Sequence, residues 1–569
     1  MTTYDIALVG SGPAAEAVRA AAADCDASVM EAAPDAVDDA DLAVVVAPAG
    51  ASAPRTADAL ADRLVVVELG GIGGVAVSEV DASVSAFADT SRYSDLCTRV
   101  AATTENGGSP SGDRSAVRLA GAVAGRRAVA LLVGDEAVAG TAVEVAGTGV
   151  VAERHVLPVP DASDRDRTVR REFRDVSVDD ALARAERSLD DRTGLVAQVG
   201  ERESFPVPYY LAQTTDTRRF SDARAAEFAA GVDADWDVAF VKALGEALER
   251  YCAGVYRSTE FTTASERTRA RPVSPARFVR PDSYRAPDAE EPIPWVDGEH
   301  LATGESVSVP AEFVHYPPPN TRHKPPITTG LGLGNSGAEA LLSGLYEVVE
   351  RDATMLSWYS SFEPLALSVD DDGYRTLVKR ARAEGLTATA LLVTQDADVP
   401  VVAAAVHREG EWPRFAVGSD ASLDPSDAAK SALAEALQNW MELRAMGPER
   451  AAEEEGAIGE YADFPRAAQR FVDAGPTVPA ESVGPDEIPA GTAELDALVE
   501  RVDDAGLDAY AVRTTTADVE RLGFEAVRVL IPEAQPLFQG DPFFGDRARD
   551  VPAEMGFSPE LDGPYHPFP

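Results

Sequence analysis

The sequence predicts an α/β N-terminal domain followed by a larger α+β domain, and three observations carry this expectation. Over the first 150 residues, short apolar runs alternate with helical stretches, the rhythm of a parallel sheet with helices on its faces. From about residue 172 the pattern becomes mixed, with long amphipathic helices and short apolar strands. The 569 residues, 45% hydrophobic and 26% charged, supply core material for two to four domains at roughly 100–200 residues each.

Taken in order, Tyr4–Val9 (YDIALV) reads as a buried strand, and a helix follows from Ala14 to Ala23. Ala27–Glu31 and Asp41–Ala47 read as the second and third strands. Leu64–Leu69 and Ala128–Val133 complete the β-α-β rhythm. Between the first strand and helix, Gly10-x-Gly12-x-x-Ala15 fits a dinucleotide fingerprint, whose glycines let backbone approach a pyrophosphate at a helix N-terminus. Glu31 stands where a ribose-binding acid would sit. A Rossmann-like domain over residues 1–160 follows; because it is short and shows no hydride-transfer site, a fold that kept its tight turn without the nucleotide is the favoured reading. Residues 104–115 read as a polar Gly/Ser-rich loop. Residues 155–170, with two prolines and many charges, read as the domain junction. Further on, Pro400–Val406 and Ala526–Ile531 read as strands, and the acidic 447–490 as a surface excursion. The closing Gly-Pro-Tyr-His-Pro-Phe-Pro, residues 563–569, predicts an extended tail.

Asp and Glu number 96 against 51 Lys and Arg, a formal charge of −45. That balance argues against gripping nucleic acid or an anionic membrane. No run of 18 apolar residues occurs, so no membrane-spanning helix is expected. The N-terminal residues lack the basic segment of a signal peptide. Cys25, Cys97 and Cys252 are too few and too scattered for a disulfide framework or a zinc site. A cytoplasmic location is the resulting expectation. Only four of the basic residues are lysines. Acidic excess with scarce Lys is a halophilic style, in which a Debye length of about 3 Å at 1 M salt screens the charge. Most single acidic residues are therefore solvated surface, and only unusual arrangements merit a functional reading.

Two segments have such an arrangement. Lys242–Cys252 carries Glu246-x-x-Glu249-Arg250, and Gly344–Asp352 carries Glu347-x-x-Glu350-Arg351. Spacing of i, i+3 sets both carboxylates on one helix face. The flanking Leu244, Leu248, Tyr251, Leu345, Val348 and Val349 make both helices largely buried. A half-buried carboxylate pair is costly unless cations neutralise it. Magnesium prefers oxygen ligands and bridges carboxylates to phosphates. The adjacent arginines suit phosphate oxygens. Upstream, Gly330, Gly332, Gly334 and Gly337 let backbone approach a ligand closely, and Asn335 and Ser336 can cap the following helix. Asn335 and Glu339 lie one turn apart on the same side. A third helix carries Glu435 and Gln438, again at i, i+3.

These residues resemble the YcaO family of ATP-dependent enzymes that activate peptide backbone amides. The resemblance spans roughly 172–569, which makes the expected fold an α/β Rossmann-like N-terminal domain followed by a larger α+β YcaO-type domain. GLGLGNSGAEALLSGLYEVVERDA, LGEALERYC, LIPEAQPLF and the closing PYHPFP carry it. The resemblance implies that Glu246, Glu249, Glu347 and Glu350 coordinate Mg2+. It implies that Asn335 and Glu339 help hold ATP while Arg250 and Arg351 neutralise its phosphates. It also implies that the tail brings Pro569, through its carboxylate, near the site as a catalytic base. The expected reaction is cyclodehydration: a Cys, Ser or Thr attacks a backbone amide whose oxygen is then phosphorylated, giving an azoline. The N-terminal part resembles the degenerate ubiquitin-activating-enzyme-like domain that recognises a precursor-peptide leader, here without zinc cysteines. A precursor peptide or protein substrate, a partner dehydrogenase and a homodimer are the implied partners.

Three departures qualify the resemblance. The family's Gly-Lys-Gly is Ala230-Gly231-Val232-Asp233 here, Ser-Asn-Gly is Thr328-Thr329-Gly330, and an Arg of the third helix is Trp440. Lost cations would weaken triphosphate binding and leave a non-catalytic docking scaffold as an alternative. Backbone thioamidation with an external sulfur donor is another, and a nicotinamide oxidoreductase built on the glycine turn a distant third.

Overall fold

The computed structural model describes residues 4–25, 27–88, 91–105, 107–160, 165–454, 456–473 and 475–569. Residues 161–164 of the expected junction, Asn106 of the expected loop, and Glu455 and Ala474 of the expected excursion lie outside the described residues, as do residues 1–3. The chain is a mixed α/β protein in two compact units. One comprises Met1–Asp161, Glu186–Gln198 and Thr214–Ser221; the other comprises Ala162–Ala185, Val199–Gln213 and Asp222–Pro569. Among the described residues no helix is long and apolar enough to cross a membrane.

In the first unit β1 (Tyr4–Val9), β2 (Ala27–Glu31), β3 (Leu42–Pro48) and β4 (Arg63–Leu69) pair in parallel. β5 (Ala82–Ala88), β6 (Thr141–Ala146) and β7 (Gly149–His155) extend the sheet antiparallel, in the order β2-β1-β3-β4-β5-β6-β7. Helices α1 (Pro13–Ala23) and α2 (Arg114–Leu132) pack against each other so closely that a Cβ on Gly121 would stand 2.5 Å from Ala14 Cα. The expected strand Ala128–Val133 is the end of α2 instead. Asp113 starts that helix by accepting the Ser115 N–H at 2.8 Å, and Ala116, Ala120, Ala124 and Ala128 recur every fourth residue on its buried face. Gly10 of the fingerprint, at φ +102°, answers a packing need: a Cβ there would meet the Val46 carbonyl oxygen at 2.2 Å. The Glu31 carboxylate accepts Arg19 Nη2–H at 2.6 Å.

In the second unit, β8 (Phe228–Val232) lies under α3 (Trp236–Gly254). A six-stranded sheet contains β9 (Pro292–His300) and β10 (Leu331–Gly334). Helix α4 (Gly337–Trp358) lies between that sheet and a five-stranded one that includes β11 (Thr387–Leu392), β12 (Val401–His407) and β13 (Phe415–Ala421). Helix α5 (Pro425–Met446) covers β12 and β13, and β14 (Tyr510–Arg513) and β15 (Glu525–Leu530) complete the first sheet beside β10. Leu345, Val348 and Val349 of α4 share one buried cluster with Ala403 and Val417 on one side and Val529 on the other.

The segment 447–490 is more than a solvated excursion. Its aromatic side chains find apolar partners: Phe471 and Tyr461 are buried and meet the Trp358 ring at 5.3 and 5.7 Å. Thr477–Pro479 adds a parallel strand to Leu365–Ser368. The closing residues form neither helix nor strand. Trp358 Nε1–H donates to the Pro564 oxygen at 2.9 Å and Tyr461 O–H to the Tyr565 oxygen at 2.7 Å, which draws His566 and Phe568 into the core.

Candidate active site

Three strand-and-helix units with one design build the site. In each, a strand glycine lets a strand lie directly on a helix backbone. A Cβ on Gly231 of β8 would meet Ala243 N of α3 at 2.2 Å. On Gly332 of β10 it would meet Ala340 O of α4 at 2.2 Å, and on Gly418 of β13 it would meet Ala432 O of α5 at 2.6 Å. That approach brings an N–H of the strand or of the residue just before it within reach of a carboxylate on each helix, the leading one of each i, i+3 pair. Ala230 N–H donates to Glu246 Oε2 at 2.8 Å, Gly330 N–H to Glu347 Oε2 at 2.9 Å and Ser419 N–H to Glu435 Oε2 at 2.7 Å. The glycines at 330–337 thus serve internal packing rather than the close approach to a ligand expected of them. Gly330 would meet Val529 O at 2.2 Å and Gly337 would meet Arg170 O at 2.1 Å.

Glu246, Glu249, Glu347 and Glu350 all line a single cleft of about 500 Å3, and Glu435 and Gln438 of the third unit line it too. Its cations are Lys242, Arg250 and Arg351. Lys242 Nζ donates to Asp233 at 2.7 Å, so an ammonium stands in the cleft although the Gly-Lys-Gly lysine is missing. Trp440 lies away from the cleft, fully buried, with Nε1–H donating to the Pro413 oxygen at 3.0 Å. Asn335 and Glu339 sit together at the start of α4. Asn335 N–H and Nδ2–H both donate to Glu339 Oε2, at 2.7 and 3.1 Å. Neither lines the cleft, but Glu339, Ser343, Glu347 and Glu350 fall on one helix stripe, and Ser343 is a lining residue.

The electrostatics are those of a site short of positive charge. Burial pushes the Glu249 carboxyl up to about 8; Arg250 opposes this, and Glu347 and Glu246 add to it. Burial likewise raises Glu350 well above the usual carboxylate range, raises Glu435, and pushes Asp420 up to about 7. Burial works against the Arg351 charge, but Glu350, Glu435, Glu347 and Asp420 hold that guanidinium protonated. Arg250 Nη1, Arg351 Nη1 and Asn335 Oδ1 are buried without a hydrogen-bond partner. These features fit magnesium and phosphate: excess buried carboxylate for a hard cation, unsatisfied guanidinium N–H for anionic oxygen. Among the described residues no group of three or more His, Cys, Asp or Glu side chains is gathered tightly enough to hold a metal ion. Magnesium usually takes one or two carboxylates plus phosphate oxygens, so the fit concerns pairs.

Sequence reasoning missed Ser419, Asp420 and Arg528. Ser419 Oγ–H donates to Glu350 Oε1 at 2.6 Å. Arg528, in the middle of apolar β15, donates to the Thr328 and Ile327 oxygens at 2.8 and 3.0 Å. Burial lowers its guanidinium to about 10, while Glu347 and Glu249 support its charge. An arginine inside an otherwise apolar strand was the available signal.

A second cavity of about 500 Å3 adjoins the cleft. Glu347 and Arg351 line both, and Pro569 lines the second. The tail therefore comes to the far side of Glu347 and Arg351, not into the carboxylate cleft.

A family model described as "YcaO cyclodehydratase, ATP-ad Mg2+-binding" matches residues 230–535, more than half of the chain and all three strand-and-helix units. The chain belongs to the YcaO family. A YcaO of Methanopyrus kandleri, solved with AMPPCP and Mg2+ bound, is similar at 25% identity and a TM-score of 0.51, over 65% of this chain and 94% of that one. A heterocyclase solved with substrate and cofactor shares the fold over all of this chain and 85% of its own, at a TM-score of 0.73 and 18% identity. The heterocyclase TruD does so over 97% and 82%, at 0.65 and 16%. An uncharacterised protein of Methanothermobacter thermautotrophicus is 29% identical over 265 residues, 43% of this chain. One from the tfuA 3′ region of Rhizobium leguminosarum bv. trifolii is 31% identical over 173 residues, 27% of this chain. The chain spans 64% and 41% of the length of these two relatives.

Proposed function

We propose that the protein is an ATP- and Mg2+-dependent peptide cyclodehydratase. The observation that carries this reading is the convergence of three helices, each presenting carboxylates, on one cleft that shares Glu347 and Arg351 with a second cavity. Glu246, Glu249, Glu347 and Glu350 would hold magnesium in pairs. Arg250 and Arg351, each with a buried unpartnered Nη1, would donate to phosphate oxygens. Asn335 and Glu339 would reach the nucleotide's far end along the α4 stripe. Bound magnesium supplies charge neutralisation along the phosphates. In the reaction, a substrate side-chain sulfur or oxygen attacks a backbone amide carbon, and the amide oxygen takes the γ-phosphoryl group of ATP. Phosphate then leaves with that oxygen as the amide proton is lost, giving the ring C=N. An amide oxygen is a poor leaving group until phosphorylated, so positioning and charge do most of the catalytic work. Pro569 is assigned as the base for the proton steps.

The first 160 residues are assigned as a Rossmann-like, ubiquitin-activating-enzyme-like domain that recognises a leader peptide; the four parallel strands and the glycine turn support this. Residues 172–569 are the amide-activating domain. A cytoplasmic homodimer working with a dehydrogenase completes the proposal.

The test is direct. Protein purified in high salt should bind ATP with magnesium and release phosphate in response to a Cys-, Ser- or Thr-rich peptide that loses mass as water departs. A gain of mass, sulfur replacing oxygen, would reassign the enzyme to thioamidation. Absence of ATP binding would remove the proposal.

A further inference from the structure

Resting on that reading, we propose that the second cavity selects the substrate. It accepts a large apolar side chain beside the reacting residue and rejects an acidic one. The cavity and the carboxylate cleft meet only through a shared wall, Glu347 and Arg351, so a peptide amide activated at that wall would be approached from the second cavity. About half of the cavity's surface is apolar, and the rest is polar, with Ser283, Thr328, Thr329 and Gln539 on its lining. Tyr284, Tyr316, Ile327, Leu537, Phe538 and Phe543 face it. That surface is also stiff. Phe538 is held by the rings of Tyr359, Phe544, Tyr565 and His566, at centroid distances of 5.8, 5.6, 5.6 and 5.0 Å. Pro281, Pro325 and Pro326 also line the cavity with restricted backbone. A rigid apolar wall gains from burying a large apolar group and loses little entropy in doing so.

Charge adds the second half of the selection. The charged side chains on the cavity are Glu347, Asp541 and Arg351. The Arg351 guanidinium lies 3.5 Å from Glu350, so its charge is partly offset from the cleft side. Asp541 belongs to the exposed lip at residues 539–542. An acidic side chain entering past that lip meets two carboxylates against one guanidinium whose charge Glu350 partly offsets, whereas an apolar one meets rings and aliphatic carbon.

The experiment uses the full chain in high salt with Mg2+ and AMPPCP. Labelled peptides of the type Gly-Xaa-Cys-Xaa-Gly, with Xaa as Phe, Leu, Gly or Asp, are titrated by fluorescence anisotropy. Phosphate release is followed in parallel with ATP. The Phe and Leu peptides should bind at least about tenfold more tightly than the Gly peptide, within the roughly 10–200-fold that hydrophobic pockets discriminate; Asp should be weakest. D541K, on the exposed lip, should narrow the gap between the Asp and Leu peptides, and Tyr284→Ala should shrink the Phe preference. Equal binding across the series, or a preference for Asp, overturns the proposal. So does failure of every peptide to bind while AMPPCP binds, in which case the nucleotide reading still stands. Loss of AMPPCP binding with the peptide preference intact sinks the ATP-dependent reading and leaves this inference in place.

Discussion

In the proposed reaction, Glu347 is the side chain on which the chemistry would turn. One of its oxygens is fixed by the Gly330 N–H at 2.9 Å, and the carboxylate faces both the carboxylate cleft and the apolar cavity. Glu347→Gln keeps a side-chain oxygen that can accept the same N–H, so the fold should tolerate it. It removes the negative charge that the proposed magnesium would need. Phosphate release should fall roughly 10²–10³-fold, the scale seen when one preorganised electrostatic group is removed. The melting temperature without nucleotide should stay within a few degrees. A comparable loss of stability would mean that Glu347 is structural.

At the scale of elements, the site is a triplicated contact, each a strand glycine on a helix backbone with a carboxylate accepting a backbone N–H in or just before that strand. Gly332→Ala tests how much the contact matters. The added methyl would lie 2.2 Å from Ala340 O, which belongs to backbone and cannot swing away. The strand must shift, at a cost of about 1–3 kcal/mol for overpacking, and Glu347 shifts with Gly330. ATP affinity should therefore drop along with stability, measured by calorimetric titration and thermal melting. Two of the three units were legible in the sequence because Glu-x-x-Glu-Arg repeats on apolar helices. The third showed only the Glu435 and Gln438 spacing, because its identity depends on Gly418 meeting Ala432 across β13 and α5, a tertiary contact that no local pattern encodes. The strand expected at Ala128–Val133 failed for a related reason. Six apolar residues do not distinguish a strand from a helix end, and the deciding signal, the Asp113 cap, lies fifteen residues upstream of Ala128.

The tail is the other element with a measurable signature. Burial lowers the His566 imidazole to about 4, from an ordinary 6.5, and its Nε2 lies 2.8 Å from the Phe538 oxygen. A histidine with a depressed folded pKa contributes stability that is present above about 6.5 and lost as pH falls toward about 4. Melting temperatures between pH 7 and 4.5 should therefore fall less steeply in His566→Gln than in the parent chain. Parallel curves would show that the tail does not report on this proton.

For the molecule as a whole, the formal charge of −45 sets the terms of stability. Much of the internal charge is already paired: Arg513 and Glu525, both buried, meet at 2.8 Å, and Arg547 meets Asp352 at 2.6 Å. Salt does little to such pairs. What salt screens is the repulsion among exposed carboxylates, which composition alone made legible, while the buried pairs were invisible until the fold brought distant residues together. The Debye length falls from about 10 Å at 0.1 M to about 3 Å at 1 M salt, so screening of neighbouring surface charges is nearly complete by the upper value. The melting temperature should thus climb steeply between 0.1 and 1 M KCl, on the order of 5 °C or more given a few degrees per kcal/mol for a domain of this size, and then level off. Salting-out of apolar surface would instead continue to rise linearly beyond 1 M. A curve that climbs without a plateau would assign the stabilisation to apolar burial, and a flat one would mean that the acidic surface is already neutralised in the fold.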